Sequence, residues 1–233
     1  MSSIELFQNK TDCCGCSACY NVCPRKAISM QEDEYGYVYP VIDQDKCVGC
    51  GLCRKVCHYQ ADKELRTPIK AYAAAGKKEE FLKKAASGGM FSLVADKILE
   101  EGGVVFGVAM EYHNNTLIPK HIAVESKEEL FKLQGSKYVQ SFIGNTYAEA
   151  KKYLADGRKV LFSGTPCQIE GLKGYLGREY ENLYTIDIIC HGVPNAKWFQ
   201  DYIKVFETKL QGSIYSYNFR DKSRGQGMNA RIE

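Results

Sequence analysis

Two stretches of sequence decide the fold, Cys13-Cys14-Gly15-Cys16-Ser17-Ala18-Cys19-Tyr20-Asn21-Val22-Cys23-Pro24 and Cys47-Val48-Gly49-Cys50-Gly51-Leu52-Cys53-Arg54-Lys55-Val56-Cys57-His58. Both contain the spacing C-x-x-C-x-x-C-x-x-x-C, and each cysteine of the second run lies 34 residues after its counterpart in the first. Identical spacing at a fixed offset indicates an internal duplication. Three cysteines separated by two residues form a tight loop around one face of a cubane iron–sulfur cluster, and the fourth reaches a second cluster.

The spacing therefore predicts two 4Fe-4S clusters that exchange their last ligand. The first cluster takes Cys13, Cys16, Cys19 and Cys57, and the second takes Cys47, Cys50, Cys53 and Cys23. Zinc is the alternative, but zinc ribbons use paired C-x-x-C knuckles and need no third cysteine two residues on. Cys14 fits neither set and is interpreted as a bystander or as a substitute for Cys13. His58 stands where the first run has Pro24, which departs from the usual pattern.

Composition places the chain among soluble globular proteins. Of its 233 residues, 45% are hydrophobic and 25% are charged, and the formal charge of +3 is too small to favour nucleic acid or a membrane surface. Met1–Asp12 is polar, which excludes a signal peptide there, and no apolar run reaches the roughly 18 residues of a membrane span. We therefore expect a cytoplasmic protein without a membrane span or a nucleic-acid partner, in which disulfides are disfavoured.

The alternation of patterns predicts the domain organisation. Residues 1–60 form an α+β ferredoxin-like two-cluster module, residues 61–68 a linker, and residues 69–233 an α/β domain with a largely parallel or mixed sheet. In the module, strands are predicted at 27–30 and 37–42. In the α/β domain, strands are predicted at 71–75, 104–110, 159–162, 182–189 and 214–219, and helices at 90–99, 146–154, 168–176 and 196–210, with a capping box at 126–129.

Three loops of the second part have unusual chemistry. Ser87-Gly88-Gly89 precedes a helix, whose free N–H groups suit a phosphate. Gly135-Ser136-Lys137-Tyr138 combines a flexible backbone, a cation and an aromatic ring. Ser163-Gly164-Thr165-Pro166-Cys167-Gln168 follows a strand and opens a helix, with Pro166 at the first helical position. Ligands often bind at such strand ends, although each loop taken alone is also ordinary turn chemistry.

Five segments in this order resemble the coenzyme F420 hydrogenase/dehydrogenase beta subunit family, in its bacterial branch with a fused two-cluster ferredoxin module. They are Ser87–Phe91, Gly102–Gly107, Gly135–Ser141, Ser163–Gln168 and Cys190–Pro194. The resemblance implies an FAD-bearing reductase domain that exchanges electrons with the clusters. A flavin would link the one-electron chemistry of the clusters to the two-electron reduction of an organic substrate.

The resemblance also implies site residues. The FAD would contact the three loops named above, that is, Ser87, Gly88, Gly89, Gly135, Ser136, Lys137, Tyr138, Ser163, Gly164, Thr165, Pro166, Cys167 and Gln168. Lys137 would place positive charge against the phosphates or the reduced flavin, with a solvated surface lysine as the alternative. His191 is a candidate proton donor, with a hydrogen-bonded structural histidine as the alternative.

The resemblance implies a third 4Fe-4S cluster in a longer form of the protein. Cys167 and Cys190 would help to ligate it together with a C-x-x-C pair farther along, and no such pair occurs before Glu233. Two cysteines alone do not complete a site of four. The alternative interpretation is that Cys167 and Cys190 are small buried hydrophobic residues. We expect that the chain is truncated at its C-terminal end.

Two functions remain open on the sequence. The first is an FAD- and iron–sulfur-dependent oxidoreductase acting on coenzyme F420 or on another small organic or protein acceptor. The alternative is a non-catalytic electron carrier or docking subunit of the ferredoxin type, whose redox partner protein holds the active site. A protein in which the clusters serve only to stabilise the fold is disfavoured, because duplication places two clusters within reach of each other.

Overall fold

The computed structural model describes residues 4–60, 67–223, 225, 227 and 229–233. The first of these ranges is a small α+β unit. Helix α1 (Ala18–Val22) follows the first cysteine loop and helix α2 (Leu52–Lys55) follows the second. Between them, strands β1 (Ile28–Glu32) and β2 (Val38–Ile42) form an antiparallel hairpin. The hairpin confirms the two strands predicted between the cysteine runs. Most of the predicted linker, 61–68, lies outside the described residues.

The second unit is built on a four-stranded mixed sheet. Its elements are helices α3 (Glu79–Lys84) and α4 (Met90–Glu100), strands β3 (Val104–His113) and β4 (Thr116–Val124), helix α5 (Thr146–Ala155), strand β5 (Val160–Gly164), helix α6 (Pro166–Leu176), strand β6 (Leu183–Asp187) and helix α7 (Ala196–Leu210). The strand order is β4-β3-β5-β6, with β3, β5 and β6 parallel and β4 antiparallel to β3. This confirms the predicted α/β domain with a mixed sheet.

Helices cover both faces of this sheet. On one face, Phe106 and Phe162 pack against Tyr147 of α5 and Leu172 of α6. On the other face, Val105 and Leu161 pack against α4, whose Ala95, Ile98 and Leu99 are buried. Residues 104–109 of β3 and 160–162 of β5 are apolar because side chains on both faces of the sheet are buried there. No helix in the described part of the chain is long and apolar enough to cross a membrane.

Strand β4 was missed by the sequence analysis. Asn114 and Asn115 have φ of 49° and 59°, the left-handed pair that closes a tight hairpin between β3 and β4. The strand contains Pro119 and the fully buried His121, which interrupt its apolar pattern. The strand tolerates Pro119 because β4 is at the edge of the sheet. The N–H group that proline lacks is not needed there for hydrogen bonds between inner strands.

Three other predictions need correction. Residues 71–75 belong to no strand; this alanine-rich, exposed segment lies against the loop before α4, where the N–H of Gly76 donates to the carbonyl of Gly88 at 2.7 Å. Residues 214–219 provide only the short strand β7 (Tyr217–Asn218), paired with β8 (Arg231–Ile232). Residues 127–132 form a 3₁₀ helix without the predicted capping box, because the side chain of Ser126 makes no cap hydrogen bond.

Candidate functional site

The first cysteine loop surrounds a small apolar cavity. Its wall contains the four cysteines predicted for the first cluster, together with Cys14 and His58 (Cys13, Cys16, Cys19 and Cys57). The loop curls around the cavity because Gly15 and Ser17 have left-handed φ angles of 66° and 63°. Leu6, Phe7, Met30 and Pro40 close the remaining sides.

A second cavity of the first unit lies beside Ile28 and Ile42 of the β1–β2 hairpin. Its wall contains Cys47, Cys50 and Cys53 from the second loop and Cys23 from the end of the first. Apolar side chains surround these sulfur atoms, among them Ile4, Ile28, Ile42, Val48 and Leu52. Of the eight predicted ligands, each cavity thus has three from one loop and one from the other, and the first cavity has Cys14 as a fifth thiol. This chemistry of the donor set fits a Cys-ligated cluster in each apolar pocket, and the exchange of the last ligand stays a prediction.

Burial raises the pKa of three of these thiols. Removal from water raises the pKa of Cys13 to about 11, and the same cause raises the pKa of Cys19 and Cys53 above the usual range of a thiol. Metal binding to these three thiols therefore releases their protons. Cys16 is different, because the neighbouring Cys14 thiol lowers its pKa to about 5.

The first cavity lies against the α/β unit. The hydroxyl group of Tyr147 in α5 donates to the carbonyl of Cys16 at 2.9 Å, and Ala18 and Val56 are part of the hydrophobic core that contains Phe162 and Leu172. Helix α6 approaches closely because it has glycines where it meets the cysteine loops. A Cβ atom at Gly171 would lie 3.1 Å from the sulfur of Cys16. The residues that line the second cavity all come from the first unit.

Cys14 lies at this boundary, near Cys16, His58 and Cys167. The sulfur of Cys14 is 3.9 Å from Nε2 of His58, and its thiol lies beside that of Cys167, which opens helix α6. The neighbouring Cys14 thiol, together with the hydroxyl of Thr165, lowers the pKa of Cys167 to about 6. The spacing of the two runs does not predict this grouping. In the sequence, only the extra cysteine at 14 and the histidine at 58 indicate it.

The loop Ser163–Gln168 is held in place by a buried hydrogen-bonded network. Nε2 of His121 donates to the carbonyl of Ser163 at 3.1 Å, while its Nδ1 is 3.0 Å from the hydroxyl of Ser141. Gln168 donates to that same hydroxyl and completes a capping box with Thr165. Complete burial lowers the pKa of His121 to about 4, so the ring is neutral. Pro166 occupies the predicted first helical position. The loop lies against the first cysteine loop through Cys167, and the hydroxyl of Tyr147 lies between the carbonyls of Gln168 and Cys16.

A much larger cavity of about 760 Å³ opens elsewhere in the α/β unit. Gly135, Ser136 and Lys137 line it, and Tyr138 lies at its margin, where its hydroxyl is 3.4 Å from the guanidinium of Arg220. Six basic side chains and one acidic side chain are in its wall, the basic ones being Lys83, Lys84, Lys132, Lys137, Arg220 and Lys222. Phe131, Tyr215 and Tyr217 contribute aromatic surface. The wall therefore suits an anionic ligand with an aromatic part.

Lys137 is the cation of this cavity that is placed most firmly. Its ammonium group donates to the carbonyls of Gln134 at 2.7 Å and Lys132 at 3.1 Å. Burial lowers the pKa of Lys137 to about 8, because no carboxylate compensates for the lost hydration. Its charge therefore depends on pH in the range just above neutrality.

The other predicted flavin contacts are separated in the structure. The loop Ser87–Gly89 follows Ala85 and Ala86, which line the large cavity. Gly88 itself packs against the backbone, since a Cβ there would lie 2.3 Å from the carbonyl oxygen of Ala74. The Ser163–Gln168 loop faces the first unit. His191 and Cys190 are in the loop after β6, where His191 is exposed. Thus Gly135–Lys137 line the cavity, whereas the Ser163–Gln168 loop and His191 do not.

Comparison with known proteins agrees with this two-part construction. Residues 12–61 match the 4Fe-4S dicluster domain. Residues 71–145 match the N-terminal part, and residues 157–231 the C-terminal part, of the coenzyme F420 hydrogenase/dehydrogenase beta subunit.

Individual relatives are distant. An uncharacterized protein of Methanocaldococcus jannaschii is 25% identical over 73% of this chain and 54% of its own length. The coenzyme F420-dependent sulfite reductase of the same organism is 24% identical over 78% of this chain and 28% of its own length. The chain thus spans about half of one relative and about a quarter of the other.

A solved structure was also found to be similar. A chain of the F420-reducing [NiFe] hydrogenase complex from Methanosarcina barkeri is 21% identical, with a TM-score of 0.48, over 72% of this chain and 63% of that one. The two matched regions of the beta subunit together cover most of the α/β unit, and the dicluster domain covers the cysteine loops. The chain is therefore an iron–sulfur redox protein that belongs to the coenzyme F420 hydrogenase/dehydrogenase beta subunit family.

Proposed function

We propose that the chain is an FAD- and iron–sulfur-dependent oxidoreductase that transfers electrons between two 4Fe-4S clusters and FAD. The electrons go to or come from coenzyme F420 or another small organic or protein acceptor. One observation carries the proposal: the eight cysteines of the duplicated runs divide into two groups of four around separate apolar cavities. Protein thiolates in two sets of four are the ligands that two cubane clusters require.

The two clusters have different surroundings in this proposal. The cluster held by Cys13, Cys16, Cys19 and Cys57 is called the proximal cluster, because its loop touches α5 and α6. The cluster held by Cys23, Cys47, Cys50 and Cys53 is called the distal cluster. Cys50 is exposed, and Val48 next to the distal cluster is 56% exposed. Electrons from a partner protein would therefore enter or leave at the distal cluster and cross to the α/β unit from the proximal one.

The large cavity is the place proposed for FAD. Its volume is within the range of about 300–1,000 Å³ that is typical of small-molecule sites. Lys137 and Arg220 would hold the pyrophosphate, and Phe131 and Tyr215 offer surface for the rings. A bound flavin supplies interconversion between one-electron and two-electron transfer. Lys137, held by two carbonyls, presents a cation at a fixed position, which favours a negative charge near it. His191 lies outside the lining of this cavity, and its role as a proton donor stays a prediction.

The test is the cofactor content of the chain purified without oxygen. We expect about eight iron and eight acid-labile sulfide per chain, since each cluster has four of each. We also expect one FAD per chain and a broad absorbance near about 400 nm that bleaches with dithionite. A colourless protein with zinc would contradict the whole proposal. Full iron content without measurable FAD affinity would contradict its flavin part alone.

The second candidate is a non-catalytic electron carrier of the ferredoxin type. The exposure of Cys50 and Val48 at the distal cluster favours it, because a carrier must bring a cluster close to a partner. Reduction of coenzyme F420 by the isolated chain with an artificial electron donor would exclude this candidate. Electron exchange with a partner protein but not with small acceptors would support it.

A further inference from the structure

The charges of the first unit are unevenly distributed. Residues 4–60 contain six Lys or Arg and seven Asp or Glu, so the unit as a whole is almost neutral. Five of the six cations lie at or within two positions of a residue that lines the second cavity, and these are Arg25, Lys26, Lys46, Arg54 and Lys55. Three carboxylates, those of Glu5, Asp43 and Asp45, lie equally near in the chain. The end of the unit that is proposed to hold the distal cluster is therefore positive.

The other end of the β1–β2 hairpin is acidic. Residues 32–34 are all acidic and lead into its turn, whereas the hairpin residues that line the second cavity are at the opposite end. The sixth cation, Lys10, forms an ion pair with Asp33 at 2.7 Å. The turn contacts the α/β unit, since Nδ2 of Asn195 donates to the carbonyl of Tyr35 at 2.9 Å. The acidic end of the hairpin thus meets the α/β unit, and the basic end is opposite to it.

The five basic side chains are available to a partner. All of them are exposed. Only Lys46 forms an ion pair with another described residue, Asp43, at 2.6 Å. The other four form no ion pair with any residue of the described ranges. Such charges act on an approaching protein over about 10 Å at 0.1 M ionic strength, which is the distance over which salt screens them.

Apolar surface lies beside these charges. Val48 is 56% exposed and Leu52 is 38% exposed, and both line the second cavity together with the exposed predicted ligand Cys50. Arg25 lines the same cavity, and Arg54 is in helix α2 with Leu52. Val48, Cys50, Leu52 and the five cations are together called the distal surface. A small apolar centre accompanied by charged residues is typical of a protein–protein contact.

We propose that the distal surface binds an acidic electron-carrier protein, namely a small iron–sulfur or flavin protein whose surface around the redox centre is negative. This inference rests on the proposed function, because it takes the distal cluster as the place where electrons enter or leave. One electron passes at a time. The carrier is oxidised and the distal cluster is reduced, or the reverse, and no bond is formed or broken.

The composition of the distal surface favours a transient partner over a permanent subunit. Permanent interfaces are large and apolar, whereas the distal surface has five cations and only two exposed aliphatic side chains. Transient electron-transfer complexes bury less area, so opposite charge speeds and orients the encounter. An excess of cations over nearby carboxylates attracts a partner of negative charge.

The test is the affinity of the full, cluster-loaded chain for an acidic [2Fe-2S] ferredoxin, measured by isothermal titration calorimetry with both proteins oxidised. We expect the Kd to be at least about tenfold lower at about 20 mM than at about 300 mM ionic strength, because salt screens opposite charges. A basic c-type cytochrome is the comparison probe and should bind at least about tenfold more weakly than the ferredoxin at the lower ionic strength. Equal affinities for the two probes, or a Kd that does not depend on salt, would overturn the proposal.

Variants that remove charge locate the contact. Arg54→Gln/Lys55→Gln should raise the Kd for the ferredoxin at least about threefold at about 20 mM ionic strength and leave it unchanged at about 300 mM. Lys151→Gln/Lys152→Gln, an exposed pair on helix α5, is the matched control and should bind as the unsubstituted chain does. Lys26→Gln lies outside helix α2 and keeps the test valid if the double variant folds poorly. Unchanged binding in both Arg54→Gln/Lys55→Gln and Lys26→Gln would overturn the proposal.

Failure of this surface differs from failure of the proposed function. Absence of acid-labile sulfide from the unsubstituted chain would contradict the clusters and, with them, this inference. Normal sulfide with salt-independent binding would contradict only the distal surface. Self-association at low ionic strength that is lost in Arg54→Gln/Lys55→Gln, measured by light scattering, would make the occupant a second copy of this chain and would also overturn the proposal.

Discussion

The hydroxyl group of Tyr147 lies 2.9 Å from the carbonyl oxygen of Cys16, so the core of the α/β unit is hydrogen-bonded directly to the first cysteine loop. Tyr147 is fully buried, and its hydroxyl is also 2.7 Å from the carbonyl of Gln168. One side chain thus connects the proximal cysteine loop, helix α5 and helix α6. In the proposed function, this is the point at which electrons cross between the two units.

Substitution of Tyr147 by phenylalanine tests this connection. Tyr147→Phe removes the one O–H donor that lies between the carbonyls of Cys16 and Gln168, and we expect a loss of about 1–3 kcal/mol in the free energy of unfolding. Chemical denaturation of the iron-loaded protein measures this loss. Tyr153→Phe is the control, because the hydroxyl of Tyr153 binds the exposed Glu125 and its loss should cost less than about 1 kcal/mol. Equal effects of the two substitutions would contradict the role of Tyr147.

The close approach of α6 to the first unit gives a second prediction. A Cβ at Gly174 would lie 2.4 Å from the carbonyl oxygen of Val56, which is backbone and has little freedom to move. Gly174→Ala should therefore destabilise the protein by about 1–3 kcal/mol through overpacking, although alanine favours a helix.

The control for this substitution is on the same helix. Glu170 is exposed and pairs only with Lys173 in the described ion pairs of α6, so Glu170→Ala should change the unfolding free energy by less than about 1 kcal/mol. Limited proteolysis of the connection between the units should become faster in Gly174→Ala only. A stabilised Gly174→Ala protein would mean that α6 does not press on Val56.

The grouping of the cysteines could be predicted because it depends on local spacing. Three cysteines separated by two residues can only face one centre, and the offset of 34 residues repeats the arrangement. Helices α4, α5, α6 and α7 were likewise predictable from the helical apolar period, and α6 and α7 also begin with a capping side chain. These features are properties of short segments.

Other features depend on contacts between segments that are far apart in the sequence. Cys14 and Cys167 are 153 positions apart, and only the docking of α6 on the first unit brings them together. His121 lies in a strand that Pro119 made difficult to recognise, and its burial follows from packing against Phe162 of β5 and the Ser163–Gln168 loop. The Ser163–Gln168 loop was placed correctly at a strand end, but its sequence does not determine which unit it faces.

The pKa of Lys137 predicts a pH dependence of ligand binding. The charged form of Lys137 is lost as pH rises through about 8, so the affinity for FAD should be lower at pH 9 than at pH 7. Lys137→Met should weaken FAD binding at pH 7 by about tenfold or more, because a hydrogen-bonded charge is lost. The same substitution should remove most of this pH dependence. Fluorescence titration with FAD measures both. Lys152→Met, on the exposed face of α5, should retain the dependence.

Lys137 should also make the free energy of unfolding depend on pH. Its folded pKa of about 8 is below the value for an unfolded lysine, so the unfolded chain binds more protons between those two values. The free energy of unfolding should therefore have a contribution from Lys137 that increases with pH across this range and is absent in Lys137→Met. A difference between the two proteins that does not change from pH 7 to pH 10 would contradict the burial of an uncompensated ammonium group.

Exchange of the last ligand between the cysteine runs gives the final prediction. Cys57 belongs to the second run in sequence but lines the first cavity, whereas Cys23 belongs to the first run and lines the second. Cys57→Ser should therefore damage the proximal cluster and Cys23→Ser the distal one, each with loss of one to four iron atoms of about eight. Because the proximal cluster adjoins α5 and α6, Cys57→Ser should slow electron delivery to bound FAD, and Cys23→Ser should slow uptake from a partner protein. Stopped-flow reduction followed separately at cluster and flavin wavelengths distinguishes the two steps, with Cys190→Ser as the control that changes neither. If Cys23→Ser instead slowed delivery to FAD and Cys57→Ser slowed uptake, each run would hold a cluster with its own four cysteines.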